Sequence, residues 1–407
     1  SVIHHWEREL NRFYPRIRVY PYHGPGRRRQ LLQALEPIVF VTTYATATND
    51  VAELSKVPFL YLVLDEATSI KNPDTKRTQA VKALNAAHRL ALSGTPVENR
   101  PAELWSIFDF LMRGHLGKYG TFVRLFEERI GAGDRAASEK LGRRIRPFLL
   151  RRTKDEVARD LPDKIEMDEW CGLSPEQEQL YGALQETVKQ LRTALQRGEQ
   201  VSYTTNILPV LTKLKQICDH PALVSGEKVK EPGHGRSEKF DWIVAKIDEI
   251  HASGEQVVVF SHFLGMLDLL ETVLRRKGMS YIRIDGSTTR RQAVIDRFNA
   301  GQAGVAICSV QAAGYGINMT AANHVIHADR WWNPAVEDQA TDRVHRIGQD
   351  KTVYVYRIMV EGTLEERIDR LLMRKRGMAD QIVRAAVGDS DRGWTRDELL
   401  ELLRPLD

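Results

Sequence analysis

One rhythm runs through two parts of the chain, a short apolar run followed by a stretch of helical period, and it limits the fold more than any other feature. Residues 17–22, 38–44, 59–64 and 89–92 are strand-sized and β-rich, with a helix-period stretch at 78–86 among them. The alternation resumes at 256–260, 281–284, 305–308, 324–327 and 353–358. Parallel strands need a crossover connection, and a helix supplies it, so this pattern predicts open, mostly parallel α/β sheets. Residues 111–232 between them read as nearly all helical. There Ser174-Pro175-Glu176-Gln177 offers an N-cap, a proline at the first helical position and a capping-box glutamine, opening a helix expected to run to about Gly198.

At 407 residues the chain exceeds one ordinary core. The expected division is an α/β lobe over 1–110, a helical insertion and linker over 111–232, a second α/β lobe over 233–372 and a helical tail over 373–407. Pro232, Gly233 and Gly235 mark the hinge, and Thr363 with Glu366 and Thr395 with Glu398 cap the closing helices. A hydrophobic share of 42% and a charged share of 28% predict a soluble globular protein. Apolar runs are far short of the ~20 residues of a membrane span, and the amino end lacks a secretion signal, so a cytoplasmic location is expected. Cys171, Cys218 and Cys308 form no C-x-x-C, which supports neither a disulfide framework nor a zinc site. A net charge of +5 admits a polyanionic partner without requiring one. Ser1 stands where a methionine would open a complete protein, and the expectation is a fragment.

Asp65-Glu66-Ala67-Thr68 follows the apolar run 59–64, so the two carboxylates fall at the carboxyl edge of a sheet, the usual ligand position in such folds. There Asp65 can hold Mg2+, directly or through water, and Glu66 can orient and deprotonate an attacking water. A capping role for the acidic pair is the bland alternative. Ser93-Gly94-Thr95-Pro96 follows another short strand and is a candidate sensor linking that cleft to a second ligand. Gln339 to Gln349 places Arg343 and Arg346 three apart on a presumptive helix face, where arginine forks can reach phosphate oxygens; otherwise they are a solvated face. Gly314-Tyr315-Gly316-Ile317-Asn318 is a glycine turn shortly before them. Arg143, Arg144, Arg146, Arg151, Arg152 and Lys154 make a basic run suited to a phosphate backbone, although Phe148, Leu149 and Leu150 require part of it to pack. Trp331 and Trp332 fit core packing or support of the cleft. The chain contains no G-x-x-x-x-G-K-[ST], the loop that holds a triphosphate.

Taken together these segments resemble the Swi/Snf family of ATP-dependent DNA translocases in the second helicase superfamily. The resemblance runs over nearly the whole chain in order. It begins at Trp6 and Glu9 and continues through Tyr22-His23-Gly24, Thr42-Thr43-Tyr44, Asp65 to Thr68 and Ser93 to Pro96. The segments Leu149 to Lys154 and Leu214 to Pro221 follow, and then Phe260-Ser261, Asp285-Gly286-Ser287, Gly314 to Thr320 and Trp331 to Gln349. Two RecA-like lobes are implied, the first incomplete, with ATP hydrolysed between them. The resemblance implies Asp65 as the Mg2+ ligand, Glu66 as the general base and Arg343 and Arg346 as fingers. It further implies Gly316, Asn318 and Gln339 in nucleotide binding, Ser93, Gly94 and Thr95 in coupling, and Thr42, Arg151, Arg152, Lys154, Ser261, Ser309 and Trp332 in DNA binding. The implied cofactors are ATP and Mg2+, and the implied partners are double-stranded DNA and the protein–DNA complexes being remodelled. Gln349 stands where RNA helicases usually carry arginine, and Thr68 where the family usually carries histidine or glutamine. Without the phosphate-binding loop this chain alone is expected to bind ATP poorly, and a non-hydrolysing DNA-binding or scaffolding module is the alternative.

Overall fold

A computed structural model describes residues 2–33, 36–94, 101–150, 152, 154–158, 160–225, 233–313, 317–332, 334–370 and 372. The chain divides into two units after residue 151. Among the described residues of the first unit, two parallel strand pairs form, β1 (Arg18–Pro21) with β2 (Ile38–Val41) and β3 (Phe59–Leu64) with β4 (Ala86–Ala91). Helix Lys76–Ala83 makes the crossover from β3 to β4, and Thr75 caps it by accepting from the Thr78 N–H. One face of the β3–β4 pair, carrying Tyr61, Val63 and Leu90 in register, stays exposed. Helices Pro101–Leu111 and Arg135–Ile145 close a separate apolar cluster of Leu104, Phe108, Phe122, Phe126, Leu141 and Ile145.

The second unit is built on a six-stranded, all-parallel sheet. Its strands are β5 (Lys164–Cys171), β6 (Val257–Ser261), β7 (Tyr281–Ile284), β8 (Val305–Ser309), β9 (His324–His327) and β10 (Val353–Val360), in the order β5-β10-β9-β6-β8-β7. The central strands are buried on both faces, which is why their sequences run apolar without alternation. Val258, Phe260, Ala306 and Val325 pack into one cluster with Phe298. Val257, Val259, Val305 and Ile326 pack into the other, beneath Phe240, Ile243, Leu267 and Leu270 of helices Glu238–Ala252 and Leu264–Arg276.

The expected α/β alternation is present in both units, with β3, β7 and β9 at the anticipated residues. The middle stretch differs. Residues 111–232 are not a body of their own, because the helices up to 150 belong to the first unit and those from 175 to 219 to the second. Nor is the stretch all helical. Lys164–Cys171 is an edge strand whose Glu166 and Asp168 look like solvated residues in sequence but receive Arg357 of the neighbouring β10, at 2.7 and 2.8 Å. The capping box at Ser174 and Gln177 forms as anticipated, yet the helix breaks at Leu184 before resuming as Gln185–Gln196. Of the hinge expected at 228–236, residues 228–232 lie outside the described residues, as does the tail helix with Thr395 and Glu398, while Gly233 and Gly235 take positive φ of 63° and 82°. Phe298 is fully buried between strand and helix, and Phe298→Ala is expected to cost about 3–5 kcal/mol in chemical denaturation.

Candidate functional site

In the first unit the carboxyl ends of β3 and β4 are tied together by the backbone. The Leu92 N–H donates to the Leu64 carbonyl at 2.7 Å, and the Ala67 N–H donates to the Leu92 carbonyl at 2.9 Å. Asp65 and Glu66 leave β3 at this edge, and Ser93 and Gly94 leave β4 beside them. Thr95 lies outside the described residues. The Asp65 carboxylate is fixed from two sides, by the indole N–H of Trp6 at 2.8 Å and by the Glu66 N–H at 3.0 Å. Trp6 comes from helix Val2–Phe13. The hydroxyl of Tyr44 donates to the Asp65 carbonyl at 2.8 Å. Burial raises the Tyr44 phenol, and the nearby charges of Asp65 and Glu66 raise it further, so it stays a donor.

Glu66 is the single non-glycine residue with positive φ among the described ones, at φ 50°, ψ 57°. A left-handed residue with a Cβ costs on the order of 1 kcal/mol, and such strain collects where side-chain direction matters. Among the described residues no cationic side chain pairs with Asp65, so its carboxylate has lone pairs left for a further partner. A hard divalent cation suits that donor set. Thr42, directly after β2, donates its hydroxyl to the Tyr22 carbonyl at 2.7 Å.

In the second unit the candidate residues gather at the carboxyl ends of β6, β8 and β9. Ser261 donates to Asp329 at 2.5 Å, and the His262 N–H donates to the same carboxylate at 3.0 Å. Ser309 accepts from the Ala312 N–H at 3.2 Å. Both serines are buried; the first set of bonds holds the loop after β6, and the Ser309 bond caps the short helix Val310–Ala313 that follows β8. Trp331 stacks on His262 with ring centroids 3.8 Å apart, and the Lys215 ammonium lies 4.9 Å from the Trp331 ring and 5.3 Å from that of Trp332. Trp332 also packs against the helices around Leu211 and Leu214, so core packing is part of what this tryptophan pair does. Asn318 is exposed, and Gly316 lies outside the described residues.

The helix preceding the two arginines is Pro334–Thr341, which carries Gln339 but ends before Arg343 and Arg346. Their expected place on a helix face is therefore corrected to a run of turns. Side chains in and around that run bond to distant parts of the unit: Thr341 with His327 at 2.8 Å, His345 with the Pro162 carbonyl at 2.8 Å, and Gln349 with the Ala322 carbonyl at 2.7 Å. Gly348, at φ 101°, completes the reversal. Arg343 and Arg346 are half-buried, and the Arg343 carbonyl accepts from the Met319 N–H at 2.9 Å, joining the arginine turns to the segment after the glycine turn.

Lys154 is engaged inside the unit, donating to the His345 carbonyl at 2.8 Å and pairing with Asp342 at 2.5 Å. It anchors the arginine turns in this arrangement. Arg152 is exposed, and Arg151 lies outside the described residues. Sequence reasoning passed over His262 and Arg330, and it named Tyr44 within a motif without a role. Arg330 is 1% exposed, and its only sequence signal was an arginine three residues past the end of a predicted strand. No group of three metal-ligating side chains that could hold an ion and no helix long and apolar enough to cross a membrane occurs among the described residues. Cys218 and Cys308 are buried thiols.

The SNF2-related domain family matches residues 1–223, and the Helicase conserved C-terminal domain family matches residues 238–348. YwqA of Bacillus subtilis, whose name describes an ATP-dependent helicase/translocase, is 40% identical over 402 residues, covering 95% of this chain and 42% of YwqA. The TATA-binding protein-associated factor MOT1 of Saccharomyces cerevisiae is 35% identical over 442 residues, covering 94% of this chain and 24% of MOT1. The chain thus spans less than half the length of these relatives. The solved Sulfolobus solfataricus SWI2/SNF2 ATPase core in complex with dsDNA is 38% identical and covers 99% of this chain and 84% of that chain, with a TM-score of 0.48.

Two outcomes follow from the geometry. Glu66→Gly is expected to raise stability by up to ~1 kcal/mol in urea unfolding, since glycine adopts the left-handed backbone freely. Burial pushes His262 down to about 4 and His327 down to about 3, with Lys215 adding to the first and Arg330 and Arg357 to the second. Both are depressed below the unfolded value near 6.5, so the unfolded chain binds more protons as the pH falls. Stability present above pH 6.5 is lost by about 1.4 kcal/mol per pH unit per histidine on the way down to these values. Denaturation midpoints at several pH values should show this slope, and His327→Gln should make it shallower.

Proposed function

Because the chain belongs to the SNF2-related family of ATP-dependent helicases, we propose that it is motor sequence of a translocase that runs on double-stranded DNA and remodels protein–DNA complexes in the cytoplasm. The observation that carries the chemistry is the Asp65–Glu66 pair, with Asp65 fixed by Trp6 and Glu66 held in a strained left-handed backbone at the edge of a parallel sheet. Two adjacent carboxylates at such an edge suit water activation at a metal-bound phosphate.

In this reading Asp65 holds Mg2+, and bound Mg2+ supplies the positive charge that offsets the charge building on the phosphate oxygens. Glu66 accepts the proton of the attacking water. Its backbone conformation directs the carboxylate independently of Asp65, so the two side chains keep separate tasks. Arg343 and Arg346 act on the phosphate as bidentate donors, with Gln339, Gly316 and Asn318 contributing to the nucleotide. Ser93 and Gly94 share the edge with the acidic pair, and together with Thr95 they relay its state to the bound duplex in this reading. Thr42, Arg151, Arg152 and Trp332 contribute to DNA binding in this reading, the buried Ser261 and Ser309 act through the segments they hold, and Lys154 acts by holding the arginine turns. Gln349, which favours DNA over RNA in the resemblance, is buried and caps the end of those turns, so its contribution is to their shape. MOT1 is by name associated with a TATA-binding protein, and a protein bound to duplex DNA is the kind of obstacle proposed here.

The 407 residues hold no G-x-x-x-x-G-K-[ST], and we propose that this chain alone turns over ATP poorly. The same observation favours, as a second reading, a DNA-binding module without hydrolysis. ATP hydrolysis by the full-length protein with and without duplex DNA separates the two. The translocase reading expects stimulation by duplex DNA, a loss of at least ~100-fold in Glu66→Gln and a loss of ~10³-fold in Arg343→Ala. Salt-sensitive DNA binding with no hydrolysis would leave the module, and stimulation by RNA in place of duplex DNA would overturn the DNA-translocase assignment.

A further inference from the structure

Buried ionic groups in the second unit form a closed ring that ends on one late helix, residues 364–370. The Lys239 ammonium, fully buried, donates to Asp219 at 2.8 Å and to both carboxylate oxygens of Glu365 at 2.7 Å. One turn further along the same helix, Asp369 accepts from Arg330 at 2.7 Å. The other end of the Arg330 guanidinium donates to Glu337 at 2.7 Å, and the second oxygen of Glu337 accepts from the Trp331 N–H at 2.7 Å. The Arg330 carbonyl accepts from Lys215, which lies one turn before Asp219 on helix Leu208–Asp219. The circuit therefore runs Lys215, Arg330, Asp369, Glu365, Lys239, Asp219 and back to the start. Two helices each contribute a pair spaced four residues apart, so each pair lies on one helix face.

The ring encloses the loop that carries Trp331 and Trp332. Arg330 is held at its carbonyl and at both ends of its guanidinium, and the Trp331 N–H is held by the same Glu337 that Arg330 binds. Trp331 is then pressed on His262, whose backbone shares Asp329 with Ser261. A buried charge network fixes geometry more effectively than it adds stability, because the desolvation of the charges offsets most of their attraction. The placement of helix 364–370 is over-determined as well: the Leu364 N–H donates to the Tyr181 hydroxyl at 2.8 Å, and Ile368 and Leu372 are buried with Leu211 and Leu214.

We propose that Asp369 is a positioning residue: by holding Arg330 it sets the loop of Trp331 and Trp332 and, through Glu337, the helix that leads to Arg343. The part of this inference that concerns turnover rests on the translocase reading above; the part that concerns the loop does not. It makes helix 364–370 the element through which a shift elsewhere in the unit changes DNA-stimulated turnover without touching ATP or DNA.

The test compares Asp369→Asn, Asp369→Glu and the exposed surface control Glu361→Gln in the full-length protein. Amide hydrogen exchange of residues 329–337 is read together with ATP turnover at limiting and saturating duplex DNA. Asp369→Asn is expected to speed exchange in 329–337 by tenfold or more while β6 and β8 stay protected. It should also lower kcat with saturating DNA about tenfold at an unchanged KM for ATP, with Asp369→Glu recovering most of the loss and Glu361→Gln behaving as the parent. Unchanged exchange and kcat in a folded Asp369→Asn protein would overturn the proposal, as would a uniform rise in exchange across the unit. Should Asp369→Asn fail to fold, Arg330→Lys keeps the charge, cannot span both carboxylates and is judged by the same criteria. If the parent protein shows no DNA-stimulated hydrolysis, the functional reading fails while the exchange comparison still decides the ring.

Discussion

A large all-parallel sheet is stable in water chiefly when both of its faces are covered, and in the second unit that requirement arranges everything else. The strands β6, β8 and β9 are buried on both sides, so their side chains cannot carry chemistry along their length. Polar groups are left with the carboxyl ends, where Ser261, Ser309 and Asp329 sit. Helices that cover the faces must connect at the edges, and the same loops that make the connections hold the candidate residues. The position of the site is thus a by-product of excluding water from the sheet.

Much of this was legible because burial on both faces leaves a plain trace, an apolar run of strand length. Residues 59–64, 281–284 and 324–327 became strands as read, and the acidic pair after the first of them lies at the sheet edge. Edge strand β5 was not legible. Its lysine, glutamates and aspartate resemble a solvated segment, and only Arg357, almost two hundred residues later, makes them strand residues. The arginine turns failed for a related reason. Local periodicity favoured a continued helix, but Thr341, His345 and Gln349 each bond to a distant partner, and three such bonds outweigh one more helical turn. The motif residues themselves were readable, whereas what holds them, Trp6 on Asp65 or Asp369 on Arg330, depends on approaches between remote segments.

The two units handle polar groups at their sites in different ways. In the first, Asp65 is held by an indole and a backbone amide, neutral donors that leave the carboxylate charge intact. In the second, charges are neutralised by other charges, as with Arg330 between Glu337 and Asp369. The first arrangement keeps a charge available to a ligand, and the second spends its charges on shape.

The uncovered face of the β3–β4 pair has a practical side. Tyr61, Val63 and Leu90 are 62%, 47% and 49% exposed on adjacent strands. Such a surface is adhesive: in a concentrated preparation of this chain, two copies brought together there would hide hydrocarbon from water. Handling therefore favours dilute, low-salt conditions, since salts that strengthen apolar association would drive the chain toward clumping before they affected its core.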